Sequence, residues 1–259
     1  MRTAFVRRTV LSASAVSLAL LATACGESDK TDAKGDTKPS VSAPASASAP
    51  AAKGKPEAEL AGLILTPADL PDHVVKPATP EEVKEGAKVT TDKPACLPVA
   101  QAQSMAAIGA PAGVARVKFV PKGKDVGPNA TAEEKAKAGV DALGGTVTSV
   151  ALASYDGAGA EEAFAGFKKA AAACASGYEI ATQGEEPGKV TKVGPSSPIA
   201  AGDEAVAYTV KLEGEGETVL TELVVVRKGN SLVSFYSLSI TGDAEQPRAA
   251  IVVQAKKLG

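Results

Sequence analysis

The chain has 259 residues, 28 basic and 30 acidic side chains, and a formal charge of −2 near neutrality. So even a balance gives no electrostatic grip on a polyanion and sets nucleic acid aside as a partner. With one histidine, three cysteines and no tryptophan, few side chains are available to ligate a metal or act as a catalytic base.

The N-terminus has three zones. Arg2, Arg7 and Arg8 give a positive start, Leu11 to Leu21 form an apolar run, and Ala22, Thr23 and Ala24 are small. That order marks a secretory signal peptide over 1–24. The run is about a dozen residues, short of the roughly 20 that a spanning helix needs. Leu21-Ala22-Thr23-Ala24-Cys25-Gly26 looks like a bacterial lipobox, although alanine stands at the third position before the cysteine, where leucine is commoner. The resemblance implies cleavage before Cys25 and acylation of its thiol, the palmitate-type modification of bacterial lipoproteins. At roughly 0.8 kcal/mol per buried CH₂, two or three acyl chains hold a soluble domain on a bilayer.

Residues 26–57 follow, rich in Ser, Ala, Pro, Gly, Lys and Glu, with Val41 the one sizeable aliphatic side chain. Such a segment cannot bury enough apolar area to offset its ordering entropy. It reads as a disordered stalk with an r.m.s. reach of about 30 Å. Residues 25–57 are thus a lipidated cysteine and linker, and 58–259 are one domain of ordinary size.

Within that domain "LTPADLP" predicts a one-turn helix start, with Thr66 as cap and Pro67 at the first position. Residues 73–77 read as a short strand and "TPEEVKEG" as a turn or short helix. "PACLPVAQAQ" is a loop turning into a helix, with Pro98 in its first turn. "VARVKFV" alternates as a strand, "TAEEKAKAGVDAL" is a polar helix or loop, and "GTVTSVALASY" is a strand. The next helix ends at Gly177 and places Ala160, Phe164, Phe167, Ala171 and Cys174 on one face. Cys174 therefore points inward, where Cys96 can meet it. Outside the cytoplasm such a pair is expected to form a disulfide, which on the chain-entropy model stabilises by up to about 4–5 kcal/mol. Metal ligation is the rival reading, and it lacks further ligands.

Five strand-like runs follow, from "YEIAT" to "NSLVSFYSLSI". The clearest hairpin is "VVVRKGNSLVSF", whose Gly229 and Asn230 both tolerate positive φ. Phe235 and Tyr236 are consecutive and must face opposite sides: one meets the helices, the other solvent, a cleft or a partner. A closing helix is expected to share Ala249, Val252, Val253 and Lys256 on one face. Helices, then antiparallel strands, then a helix predict an α+β fold, an antiparallel sheet with helices packed on one face.

"LILTPADLP", the cysteine before a helix, "AEEAFAGFKKAAAAC", "VVVRKGNSLVSF" and the closing "AAIVVQAKKL" together resemble the PknH-like extracellular sensor domain of actinobacterial kinases and free lipoproteins. The resemblance spans roughly 60–258. It implies a sheet backed by helices around a large cleft that takes an unidentified ligand. The kinase form carries two disulfides; here only Cys96 and Cys174 are available.

Catalytic constellations are not legible. His73 has no G-x-S-x-G serine to serve and reads as a surface residue. Glu133-Glu134, Glu161-Glu162 and Glu185-Glu186 are adjacent pairs, which do not face one another. "GEGE" at 214–217 suits a turn rather than a phosphate, and Asn129-Ala130-Thr131 is a sequon of little weight in a bacterium. Tyr155, Tyr178, Tyr208 and Tyr236 either line a cleft or finish the core edge. The expected protein is a lipid-anchored extracytoplasmic lipoprotein of the cell membrane that binds or senses a ligand and is no enzyme, with no cofactor, no metal and no nucleic acid. Its partners are the bilayer, through Cys25, and a small ligand or envelope protein at unknown residues. The alternatives are an envelope interaction or structural protein, and a carrier of apolar lipid.

Overall fold

Alternating and continuous apolar runs in the second half of the chain build one sheet. The computed structural model describes residues 52–259 apart from 124–126, 128, 144, 183–185, 215–216 and 240–241; at 139–143 and 214 only the backbone is described. Residues 1–51, which hold the expected signal peptide, Cys25 and most of the expected stalk, lie outside the described residues, as do Glu185, Glu215 and Gly216. The elements are α1 (Glu57–Leu60), β1 (His73–Pro77), α2 (Pro80–Gly86), β2 (Thr90–Thr91), a 3-10 turn (Pro94–Cys96), α3 (Leu97–Gln103), β3 (Gly113–Pro121), α4 (Ala132–Leu143), β4 (Val147–Ser154), α5 (Gly159–Ala173), β5 (Tyr178–Ala181), β6 (Gly188–Pro195), β7 (Glu204–Gly214), β8 (Glu217–Lys228), β9 (Ser231–Leu238) and α6 (Arg248–Lys257). The nine strands run in the order β1-β3-β4-β9-β8-β7-β6-β5-β2, and each neighbouring pair is antiparallel. The fold is α+β, as expected.

The helices cover both faces of the sheet rather than one. On one face α3 and α5 bury Val99, Phe164 and Phe167 against Val210, Leu223, Val225 and Leu232. On the other, α1, the segment after it and α6 bury Leu60, Leu65 and Ile251 against Leu152, Val224, Val226, Val233 and Phe235. The cause lies in the central strands. Leu223, Val224, Val225 and Val226 are consecutive and all buried, so their side chains leave both surfaces of β8 apolar. One layer of helices would have left half of them in water, at about 1.5–3 kcal/mol for each large side chain.

The closing helix is rotated from its expected face. Ala250, Ile251, Gln254 and Ala255 are inward, while Val252 stays exposed. Gln254 explains the rotation. Its Oε1 accepts the Leu65 N–H at 2.9 Å and its Nε2 donates to the Leu63 carbonyl at 2.9 Å. These backbone groups belong to neither helix nor strand, and burying them unpaired is costly.

Two further local differences have similar causes. "TPAD" closes a turn, not a helix: Thr66 donates from its N–H and hydroxyl to Asp69 Oδ2 at 2.8 and 2.7 Å, and Lys257 Nζ adds a contact at 2.6 Å. Residues 52–57, assigned by composition to the linker, are clasped onto the domain. Gly157 N–H donates to the Ala52 carbonyl, Gly54 N–H to Asp156 Oδ1, Lys55 N–H to Ser154 Oγ, and Asn230 Nδ2 to the Lys53 carbonyl, all at 2.7–3.0 Å. Polar backbone here is held by specific hydrogen bonds, which hydropathy does not register.

Elsewhere the expected elements are present. Thr79 and Glu82 form a reciprocal capping box on α2. In the β8–β9 hairpin Gly229 takes φ +55°, as the first residue of a two-residue loop does in a type II′ turn. Asn230 does not need positive φ; its side chain also holds the Tyr155 carbonyl at 3.0 Å.

Candidate ligand cleft

Cys96 and Cys174 are joined, with Cα atoms 5.8 Å apart and both side chains buried. The bond ties the start of α3 to the end of α5. The other end of α3 is equally constrained. The Ala106 N–H reaches back to the Gln101 carbonyl at 2.9 Å, closing a Schellman-type cap in which Met105 takes φ +53°, a position glycine usually fills. Arg116 Nε donates to the Met105 carbonyl at 2.6 Å. Gly86, ending α2, packs so closely that an added Cβ would lie 2.1 Å from the Ser104 carbonyl oxygen.

This fixes Gln103, the last residue of α3, over the sheet. The Tyr178 hydroxyl donates to Gln103 Oε1. Gln103 and Thr221 both hydrogen-bond Tyr236, and Thr221 Oγ1 donates to the Val210 carbonyl at 3.0 Å. Burial pushes the Tyr178 phenol well above its ordinary value. It raises Tyr236 as well, against the opposing pull of Thr221 and Gln103. Both tyrosines are therefore neutral donors at any physiological pH.

Beside this network lies a cleft of about 400 Å³, bordered by Gln103, Tyr236 and the side chains of Ile180, Leu212, Val219 and Leu238. Its size falls within the range of small-molecule sites. All four aliphatic side chains are on the α3/α5 face but at least partly exposed, because α5 ends its cover before the last residues of β7 and β9. Lys189 and Glu213, also at its border, sit opposite each other on β6 and β7 and pair at 2.6 Å.

Of the four tyrosines, Tyr236 borders the cleft, and Tyr178 stands behind it. Tyr155 is core, its hydroxyl donating to the Ile108 carbonyl at 2.6 Å. Tyr208 meets Phe167 edge-on at 5.9 Å. Phe235 and Tyr236 do face opposite sides: Phe235 is buried under the α6 layer, and Tyr236 lies on the α3/α5 side. His73 begins β1 with its ring 5.3 Å from Phe119, on the far side of the sheet order from the cleft. Glu134 caps its own helix through Thr131; Glu133, Glu161, Glu162, Glu186 and Asn129 are exposed. Among the described residues no group of three or more His, Cys, Asp or Glu side chains is placed to hold a metal ion.

Sequence reasoning missed Gln103, Thr221 and the four aliphatic residues. The i, i+2 spacing of Tyr236 and Leu238 was a usable signal. The rest come from separate elements and carry no local pattern.

The described residues thus form an α+β fold with one large antiparallel sheet, helical layers on both faces, the Cys96–Cys174 disulfide and a cleft bordered by α3 and the β5–β9 strands. No protein-family model matches the chain, and no curated protein does. Among solved structures it is similar to the extracellular domain of PknH from Mycobacterium tuberculosis, with a TM-score of 0.44 and 16% sequence identity over 80% of this chain and 96% of that one. Among the described residues no helix is long and apolar enough to cross a membrane.

Proposed function

We propose that the chain is an extracytoplasmic lipoprotein, anchored through acylated Cys25, whose domain binds a small ligand in the α3–sheet cleft and performs no chemistry on it. The observation that carries this reading is the cleft: partly exposed aliphatic side chains beside a buried Tyr178–Gln103–Tyr236–Thr221 network. A pocket with an apolar wall and a few fixed polar groups is the usual form of a small-molecule site. The positive, apolar and small-residue zones before Cys25 support the anchor, and acyl chains supply the membrane affinity that the domain's near-neutral charge does not.

Native mass spectrometry of the protein extracted from its own envelope tests the binding reading. A small molecule retained by the wild type and lost from a Leu212→Glu variant is the expected result. Retention unchanged in that variant, or a protein partner with no small molecule, overturns it.

A further inference from the structure

We infer that the moiety held in the cleft is uncharged and apolar, an aliphatic chain or hydrocarbon ring rather than a sugar, phosphate or peptide; this rests on the ligand-binding reading above. The buried polar groups behind the cleft are committed to one another, and its border adds one further side-chain hydroxyl, on Ser104. Tyr178 donates to Gln103, Gln103 and Thr221 engage Tyr236, and Thr221 donates onward to the Val210 carbonyl. A sugar would bring many hydroxyls to a border that offers Ser104 but otherwise a buried network already in use, and unpaired buried polar groups are penalised.

Charge is excluded in the same way. Among the described residues that border the cleft, the charged side chains are Lys189 and Glu213, which pair with each other at 2.6 Å and face solvent, so the described border carries no net charge toward a ligand. An ion without a partner in an apolar site is strongly disfavoured. A peptide added as a further strand is excluded by the ladder. β5, β6, β7, β8 and β9 each have strands on both sides, so the cleft offers no open edge to accept a peptide backbone. What remains unsatisfied is the exposed surface of Ile180, Leu212, Val219 and Leu238 beside the Tyr236 ring, and only apolar contact satisfies it.

A lipid tail and a free apolar metabolite share this chemistry. The test uses the mature chain, residues 25–259, carrying Cys25→Ser, which has neither the apolar signal run nor an acyl chain to compete and needs no detergent. It is titrated with N-phenyl-1-naphthylamine, a neutral fluorophore that brightens in apolar surroundings. The expected result is saturable binding at one site, displaced by 1-octanol and not by glucose or inorganic phosphate. Leu212→Glu weakens it at least tenfold, whereas Val252→Glu, at an exposed apolar position on α6 away from the cleft, leaves it unchanged. Leu212→Ala, a milder change that keeps the fold, weakens it several-fold. Phosphatidylglycerol that stays bound after the protein is incubated with vesicles and separated from them, together with loss of dye binding, assigns the site to a lipid tail; displacement by 1-octanol with no lipid retained assigns it to a free molecule. No saturable binding, displacement by phosphate or glucose, or equal loss in the Val252 variant overturns the inference. A photocrosslinking residue at Tyr236 separates the two levels of failure. If it captures a polar or charged small molecule from cell extract, the binding reading stands and the apolar class falls.

Discussion

The Tyr178 hydroxyl on β5 donates a hydrogen bond to Gln103 at the end of α3, joining two residues 75 positions apart in the chain. Removing the acceptor strands a buried donor. Gln103→Leu is expected to cost about 3 kcal/mol and Tyr178→Phe about 1–2 kcal/mol, because the first change takes a partner from both Tyr178 and Tyr236 and the second leaves only the Gln103 Oε1 unpaired. Urea unfolding monitored by circular dichroism measures both. Equal costs would show that the bond is replaced by water.

The disulfide holds the other end of the same helix. Cys96→Ser with Cys174→Ser is expected to lower stability by about 2–5 kcal/mol and to loosen the cleft, because α3 then lacks its tie to α5. Non-reducing peptide mapping confirms the bond, and denaturant titration of the double variant gives the cost.

Two glycines in helices should respond with opposite sign. At Gly86 a Cβ would meet the Ser104 carbonyl oxygen at 2.1 Å, whereas at Gly166 nothing lies within 4 Å. Gly86→Ala must push α2 away from α3 and is expected to destabilise by roughly 2 kcal/mol, as overpacking does. Gly166→Ala, in the interior of α5, is expected to stabilise by about 0.5–1 kcal/mol. Melting temperatures of the two variants settle the comparison.

Lys257 holds the Asp69 carboxyl below its ordinary range, through a hydrogen bond at 2.6 Å that outweighs the opposing effect of burial. A carboxyl whose folded pKa is depressed contributes stability that is complete above its unfolded value and is lost as pH falls through the folded one. Lys257→Met is therefore expected to cost about 1 kcal/mol at neutral pH, with the gap to wild type closing below the ordinary carboxylate range near pH 3.8. Unfolding free energies from pH 7 down to pH 3 provide the check. A gap that stays constant with pH would show that Lys257 acts only through its bond to the Ile64 carbonyl.

The clasp of residues 52–57 predicts a protease-resistant core that begins before residue 58. Gly113→Val should release it, because a side chain there meets the Glu57 nitrogen and the Lys55 carbonyl at 2.6 Å. Mass spectrometry of limited digests shows whether 52–57 survive in the wild type and are trimmed in the variant.

Much of the architecture was legible in the residues. Phe164, Phe167 and Cys174 recur at helical spacing and all point inward, because a helix facing a sheet needs one apolar stripe and local periodicity records it. Thr79-Pro80 with Glu82 marks a helix start for the same local reason. The cleft was much less legible. Its border draws on α3 and five strands, and Gln103 looks like any polar residue at a helix end until Tyr178 and Tyr236 are placed beside it.

The sequence by itself settled the antiparallel sheet, the α+β class and the pairing of Cys96 with Cys174, since each follows from short-range periodicity or from there being two cysteines in the domain. Tertiary structure alone decided that helices cover both faces, that α6 turns Gln254 inward instead of Val252, and that Leu212 and Leu238 stay partly exposed beside Tyr236. Those outcomes depend on hydrogen bonds and packing between residues distant in the chain. Such partners leave no repeating mark along it, and only the folded register brings them together.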